Sequence, residues 1–197
     1  MEKETHYPTY DVMQEKDHWD DHTRSIVQSR WVRSWDYQFL ILEEVEMVHA
    51  ICAHLAGDTR EELISFVVRH IDESLHHSPG EGQRKIGVPK AQILIREGLR
   101  ALNESCRKVY LLSFIQLDHK KQGYILDLVS RAQAPDVPEW RGLPQVEWFK
   151  KLLSWTIEAY YSHPQVWSEM GYGGPAYPRG YVRTQLGQLD PWEAQPK

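Results

Sequence analysis

Two glutamate–histidine pairs are the residues of this chain whose spacing most directly suggests chemistry. Glu46 and His49, and Glu73 and His76, are each three positions apart, which brings both side chains of a pair to one face of a helix. Two such pairs, together with two further glutamates, form di-iron carboxylate sites in helical bundles. One interpretation is therefore a metal-binding, di-iron-like helical protein that uses these four residues.

Other features of the same segments argue against a metal site. The two pairs lie on consecutive predicted helices only 27 residues apart, and no further glutamate is obviously placed to complete the site. Glu43, Glu44 and Glu46 fall mostly off the apolar stripe of their segment, so we expect them to be solvated. No Gly-x-Ser-x-Gly nucleophile motif and no Cys-x-x-Cys-His haem motif occurs in the sequence. We therefore predict no catalytic, metal-binding or cofactor-binding residue in this chain.

The elements that would position these residues are helices. Apolar residues recur at intervals of three and four, and no convincing alternation of strand type is present. Asp58 or Thr59 is expected to cap the second long helix. The predicted helices are a short one within 17–35 and longer ones over 40–55, from 58 or 59 onward, from about 89, over about 118–132 and over about 145–161.

The fold class that follows is all-α, a small irregular helical bundle with extensions at both ends. We expect an N-terminal extension over residues 1–35, a helical domain over residues 36–162 and an irregular C-terminal arm over residues 163–197. The first 17 residues are expected to be flexible or draped over a partner.

Composition narrows the range of partners and compartments. The net charge is −5 and no basic block stands out, which argues against a nucleic-acid partner. The N-terminus has no apolar signal region and no run of 18 apolar residues exists, so we expect cytoplasmic residence and no membrane span. Cys52 and Cys106 lie in apolar-periodic stretches and are expected to be buried free thiols.

The C-terminal arm combines aromatic residues with glycine and proline, and no helix or strand period fits it. Disordered tails lack aromatic residues, so we expect this arm to be ordered. Aromatic and arginine side chains dominate the energetics of protein interfaces. The predicted partner-contacting residues are Trp167, Tyr172, Tyr177, Arg179, Tyr181, Arg183 and Trp192. The alternative is that the aromatic side chains pack back onto the chain's own helices.

Several motifs carry a resemblance to a known family. One helix ends in Ile51-Cys-Ala-His-Leu-Ala-Gly-Asp58, and the next contains Phe66-Val-Val-Arg-His-Ile-Asp72. The C-terminal element includes His163-Pro164, Gly171-Tyr-Gly-Gly-Pro175 and Arg179-Gly-Tyr181. From about Leu40 to Trp192, the chain resembles the gluconate 2-dehydrogenase subunit 3 (gamma chain) family.

The resemblance implies a small, cofactor-free and non-catalytic subunit that stabilises or matures a larger one. The large subunit would be a flavin-dependent dehydrogenase of the glucose-methanol-choline (GMC) oxidoreductase type, which carries FAD and the catalytic histidine. A c-type cytochrome often completes such complexes as electron acceptor, and their substrates are sugars, sugar acids and polyols. Many family members assist export and carry a twin-arginine signal. This chain shows no such signal, so its export would depend on a signal on the partner.

Three functional hypotheses therefore stand at this point. The first is an accessory subunit of a flavin-dependent dehydrogenase. The second is the metal-binding helical protein described above. The third is a helical scaffold that acts alone.

Overall fold

A computed structural model of the chain describes residues 5–31, 35–78, 82 and 84–195, and every regular element among them is helical. This confirms the all-α prediction. The α-helices are α1 (Asp21–Ser29), α2 (Leu42–Ala56), α3 (Glu61–His77), α4 (Ala91–Tyr110), α5 (His119–Ser130), α6 (Gln145–Tyr160) and α7 (Pro164–Met170). Short 3-10 helices span Val12–His18, Phe114–Gln116 and Pro138–Trp140.

Helical periodicity located the five long helices to within a few residues, but it missed α7 and the 3-10 helices. Residues of the predicted flexible N-terminal segment form the 3-10 helix Val12–His18, in which Val12 is fully buried. The expectation that the C-terminal arm contains no helix is wrong for α7. Residues 1–4, 32–34 and 196–197, which fall in the predicted terminal extensions, and residues 79–81 and 83 lie outside the described residues.

The chain divides into two compact units. Residues 35–158 form the helical body, and residues 1–34 and 159–197 together form the terminal unit. The N-terminal extension and the C-terminal arm, which the sequence suggested as separate segments, thus belong to one unit.

The core of the helical body consists of the predicted apolar stripes. Val48 and Ile51 of α2, Val67 and Ile71 of α3 and Leu102 of α4 have no exposed side-chain surface. Cys52 and Cys106 are buried and unpaired, as predicted. Burial raises the pKa of both thiols to about 12, which keeps them protonated at neutral pH.

The predicted cap of α3 is wrong. The helix begins at Glu61, and Arg60 occupies the N-cap position without a side-chain cap. Asp58 instead accepts hydrogen bonds from the Arg60 backbone N–H at 3.0 Å and from its guanidinium at 2.6 Å. An ion pair within the turn has therefore replaced the expected cap.

The carboxylate of Asp72 is a buried polar group that accepts four hydrogen bonds in the helical body. It is fully buried on α3, and its Oδ1 accepts from the backbone N–H groups of Phe39 and Leu40 at 3.0 and 2.8 Å. Its Oδ2 accepts from the Gln38 backbone N–H at 2.8 Å and from the indole of Trp35 at 3.3 Å. One side chain thus holds the whole segment that leads into α2.

A second close contact joins α4 to α6. A Cβ atom added to Gly98 would lie 2.1 Å from the indole ring of Trp148, so only glycine permits this approach. The Trp148 indole N–H donates to the carbonyl of Ile95 at 3.3 Å, and its ring meets Trp140 edge to face. The helical body is therefore held by specific polar anchors as well as by its apolar core.

Replacing Asp72 with asparagine should destabilise the helical body by about 3 kcal/mol. The single amide oxygen can face only one pair of donors, and the amide NH2 would oppose at least one buried backbone N–H, which costs about 1–3 kcal/mol for each unsatisfied group. Urea unfolding monitored by circular dichroism measures the change. Asp36→Asn, which removes an exposed carboxylate from the same segment, is the matched control and should have an effect within about 0.5 kcal/mol. Equal stability of the two variants would contradict the anchoring role of Asp72.

Candidate partner interface

The terminal unit is organised around four apolar side chains from three elements. Val12 of the 3-10 helix, Val27 of α1 and Trp167 of α7 form one buried cluster with Trp19. Because these residues come from both ends of the chain, the cluster ties the two termini into one structure.

Helix α7 is fixed by polar contacts at its start. Pro164 occupies the first turn, where a missing N–H is tolerated, and the Nδ1 atom of His163 accepts from the Gln165 backbone N–H at 3.2 Å. The Trp167 indole donates to the carbonyl of Tyr161 at 2.6 Å. The hydroxyl of Ser168 accepts from the Val12 backbone N–H at 3.0 Å, which locks α7 onto the N-terminal segment.

The glycines that follow α7 allow aromatic rings to approach the backbone. A Cβ at Gly174 would lie 2.6 Å from the ring of Trp19, and its φ of +79° is itself unfavourable for other residues. A Cβ at Gly173 would lie 2.6 Å from the ring of Trp192. The alternation of glycine with aromatic residues therefore serves close packing within the unit.

Arg179 lies between two tryptophans. Its guanidinium carbon is 4.4 Å from the centre of the Trp192 ring and 5.9 Å from that of Trp19, and its Nη2 donates to the carbonyl of Gly173. Burial lowers the pKa of Arg179, although the charge is retained at neutral pH. This arginine thus binds the arm to the rest of the terminal unit.

The seven predicted contact residues fall into two groups. Trp167 is only 6% exposed, and Arg179 and Trp192 pack against each other. The side chains of Tyr172, Tyr177, Tyr181 and Arg183 are exposed. All seven therefore lie in one unit, but only the second group is classed as exposed, and contact with a partner stays a prediction for all seven.

Sequence reasoning missed Asp190, which shapes the exposed part of the arm. This carboxylate is fully buried, and its Oδ1 accepts from the backbone N–H groups of Val182 and Arg183 at 2.8 and 2.9 Å. The Arg183 guanidinium also lies within 4.0 Å of Asp190 and 3.9 Å of Glu193. A lone aspartate in a polar tail gives no periodic signal that would have identified it.

In the helical body, a cleft of about 560 Å³ lies between α2 and α4. Glu43, Glu44 and Glu46 line its α2 side, and arginines line its α4 side. The expectation that Glu44 is solvated is wrong, because it accepts from the guanidinium of Arg96 at 2.7 and 3.0 Å. The remaining hydrogen bond of Arg96, to the carbonyl of Phe39 at 2.7 Å, joins this pair to the segment that Asp72 holds.

The four residues of the metal-site hypothesis are not brought together. The Nε2 atom of His49 lies 3.1 Å from a carboxylate oxygen of Glu61, at the start of α3. Glu73 is twelve residues further along that helix, about 18 Å away along its axis. Within the described part of the chain, no three His, Cys, Asp or Glu side chains are grouped so that they could hold a metal ion. The described residues therefore do not form a di-iron-like site.

A different histidine joins α2 to α5. The side-chain amide of Gln122 donates to the carbonyl of Phe114 at 3.0 Å, which leaves its oxygen to accept from the Nε2 of His54 at 3.1 Å. The ring of His119 stacks on His54 with 3.9 Å between centroids. Burial lowers the pKa of His54, and the nearby His119 acts in the same direction, whereas the bond to Gln122 opposes them. His54 is thus best accommodated as a neutral imidazole.

Residues 42–174 match the family model described as gluconate 2-dehydrogenase subunit 3. The chain belongs to this family. The match covers α2 to α7 and ends at Gly174, the last residue of the Gly-Tyr-Gly-Gly sequence, which confirms the resemblance seen in the motifs. The family name describes a subunit of an oxidoreductase complex. Comparison with curated proteins and with solved structures gave no match.

No helix in the described part of the chain combines sufficient length with sufficient apolar character to span a bilayer.

Acidification should weaken the helical body through His54. Its pKa is lower in the folded protein than in the unfolded chain, so the unfolded chain binds the proton more readily. The free energy of unfolding should therefore fall as the pH drops below about 6.5 and level off once the folded-state group is also protonated. Urea unfolding between pH 8 and pH 5 measures this slope, which His54→Gln should reduce. His77→Gln, at the exposed end of α3, is the matched control. Identical pH profiles for the wild type and His54→Gln would contradict the assignment.

Truncating Trp167 should destabilise the terminal unit rather than merely alter its surface. Trp167→Ala removes a buried indole and its hydrogen bond, a change that costs about 3 kcal/mol or more. Tyr181→Ala removes an exposed ring and should change stability by about 0.5 kcal/mol or less. Near-ultraviolet circular dichroism and limited proteolysis of residues 163–195 distinguish the two variants. Equal protection from proteolysis would show that Trp167 does not hold the arm.

Proposed function

We propose that this chain is the non-catalytic small subunit of a flavin-dependent dehydrogenase that oxidises sugars, sugar acids or polyols. Its partner is a large FAD-carrying subunit of the GMC type, which the chain stabilises or helps to mature. A c-type cytochrome subunit would receive the electrons. The single observation that carries this proposal is the family match over residues 42–174.

Some side chains of the arm pack within the terminal unit and others are exposed, which supports a role in binding. Trp167, Arg179 and Trp192 pack inside the terminal unit and hold the arm in place. The exposed tyrosines Tyr177 and Tyr181, at 68% and 62% exposure, are rigid amphipathic side chains that lose little conformational entropy on binding. Val182 and Leu186 of the same arm are also exposed, at 52% and 107%. Exposed apolar surface of this kind is typical of interaction sites.

We therefore propose that Tyr172, Tyr177, Tyr181 and Arg183 form the contact face for the large subunit. The arm is already ordered by its internal contacts, so little ordering entropy remains to be lost on docking. Arg183 already lies close to Asp190 and Glu193. In this arrangement its main role is to orient the contact face rather than to pair with an acidic group on the partner.

Co-expression with a GMC-type dehydrogenase from the same genome tests the proposal. A tagged copy of this chain should retain the flavoprotein on an affinity column, and the eluate should show flavin absorbance and dye-linked sugar or polyol oxidation. The tagged chain expressed alone should show neither. Oxidation by the chain without a second protein would overturn the accessory role.

The contact face is tested by the double variant Tyr177→Ala and Tyr181→Ala. Loss of two central aromatic contacts should weaken association at least about tenfold, equivalent to about 1.4 kcal/mol. Tyr124→Ala, an exposed tyrosine of α5, is the control and should leave association unchanged. Full affinity of the double variant would remove the arm from the interface while leaving the subunit assignment intact.

A further inference from the structure

The terminal unit carries a second feature suited to recognition, a pocket of about 300 Å³. The N-terminal segment and α7 line it together with Trp31, which follows α1. Three of its lining side chains are the aromatic rings of Tyr7, Tyr10 and Trp31. Residues 5–31 lie outside the family match, so family membership assigns no role to these rings.

Each ring is supported from outside the pocket. The ring of Tyr7 rests against Gly171, where an added Cβ would lie 2.6 Å away. The hydroxyl of Tyr10 donates to the carbonyl of Trp192 at 2.6 Å. Trp31 meets the ring of His163 edge to face at 4.8 Å and is 40% exposed. The aromatic walls are therefore set before any ligand arrives.

The charged residues that line the pocket are both acidic. These are Asp11 and Glu169, and neither lysine nor arginine occurs among the lining residues. Asp11 is held in place because its Oδ1 accepts from the Met13 backbone N–H at 2.9 Å. Aromatic faces carry negative potential, so rings and carboxylates together favour a cation.

We propose that this pocket receives an arginine side chain of the large subunit, an inference that rests on the proposed function. A guanidinium is planar and can stack on a ring while donating to a carboxylate, whereas a lysine ammonium is a compact charge that does not stack. The terminal unit already uses this chemistry internally. Arg30 lies 5.0 Å from the ring centre of Trp167, and Arg179 lies 4.4 Å from that of Trp192.

The pocket and the exposed tyrosines would then act differently in binding. The tyrosines contribute apolar area, which adapts to many surfaces. The pocket requires one cation at one position. This requirement fixes the orientation of the partner and disfavours a partner surface that lacks the cation.

The probe for this site is N-acetyl-arginine methylamide, added to the full-length chain. Binding is followed by NMR through the indole N–H resonance of Trp31. The citrulline analogue has nearly the same shape without the charge, and the lysine analogue has the charge without the plane. The arginine compound should bind at least about tenfold more tightly than either, and its affinity should fall as salt is raised.

Two variants localise the binding. Asp11→Asn keeps the acceptor that caps the 3-10 helix but removes the charge, and it should weaken binding at least threefold. Trp31→Leu removes one aromatic wall and should also weaken binding. Asp17→Asn, which removes an exposed carboxylate from the same 3-10 helix but outside the pocket, is the control and should have no effect.

The proposal is overturned if the arginine compound binds no better than its citrulline or lysine analogue. It is also overturned if Asp11→Asn binds as well as the wild type. Co-purification of the dehydrogenase is a separate measurement. A chain that retains its flavoprotein partner but does not discriminate among the three compounds loses this inference and keeps the proposed function.

Discussion

The buried carboxylate of Asp72 is the interaction on which the order of the helical body depends. Burial of this group is unusual, because an isolated charge is costly to remove from water. Three backbone N–H groups and one indole N–H compensate that cost. If residues 35–40 moved away from α3, the carboxylate of Asp72 would lose these hydrogen bonds. The Glu44–Arg96 pair adds a second connection, since Arg96 also binds the carbonyl of Phe39. The start of α2 is thereby fixed relative to both α3 and α4.

The terminal unit forms its core in a different way, because it has few long helices. It uses large rings instead and brings them against glycine backbone, as Trp19 does at Gly174 and Trp192 at Gly173. Aromatic side chains bury much area with few rotatable bonds, so a small unit can be ordered by a handful of them. The same property makes the remaining exposed tyrosines suitable for binding, since their rigidity limits the entropy lost on contact.

The sequence predicted those parts of the fold that repeat with a period, and missed those that depend on single contacts. Apolar spacing located α2 to α6, because burial of a stripe is a collective property of many residues. Asp72, Glu44 and Asp190 have no such pattern, and their partners come from backbone groups or distant helices that spacing does not reveal. Helix α7 was missed because Pro164 and the following glycines dominate the local composition, although proline is well tolerated in a first helical turn. In the arm, residue type alone could not tell that Trp167 packs inward and Tyr181 outward.

The family match covers the two units to different extents. The match covers α2 to α7, so it includes the long helices of the helical body but only part of the terminal unit. Tyr177 and Tyr181, the rings of Tyr7, Tyr10 and Trp31, and the carboxylate of Asp11 all lie outside residues 42–174. Family membership therefore explains what kind of subunit this is, whereas the choice of a particular large subunit would have to come from features that the shared region does not supply. The proposed contact face of the arm and the proposed cation pocket would be features of this kind, because apolar area provides affinity while a fixed charge requirement provides selectivity.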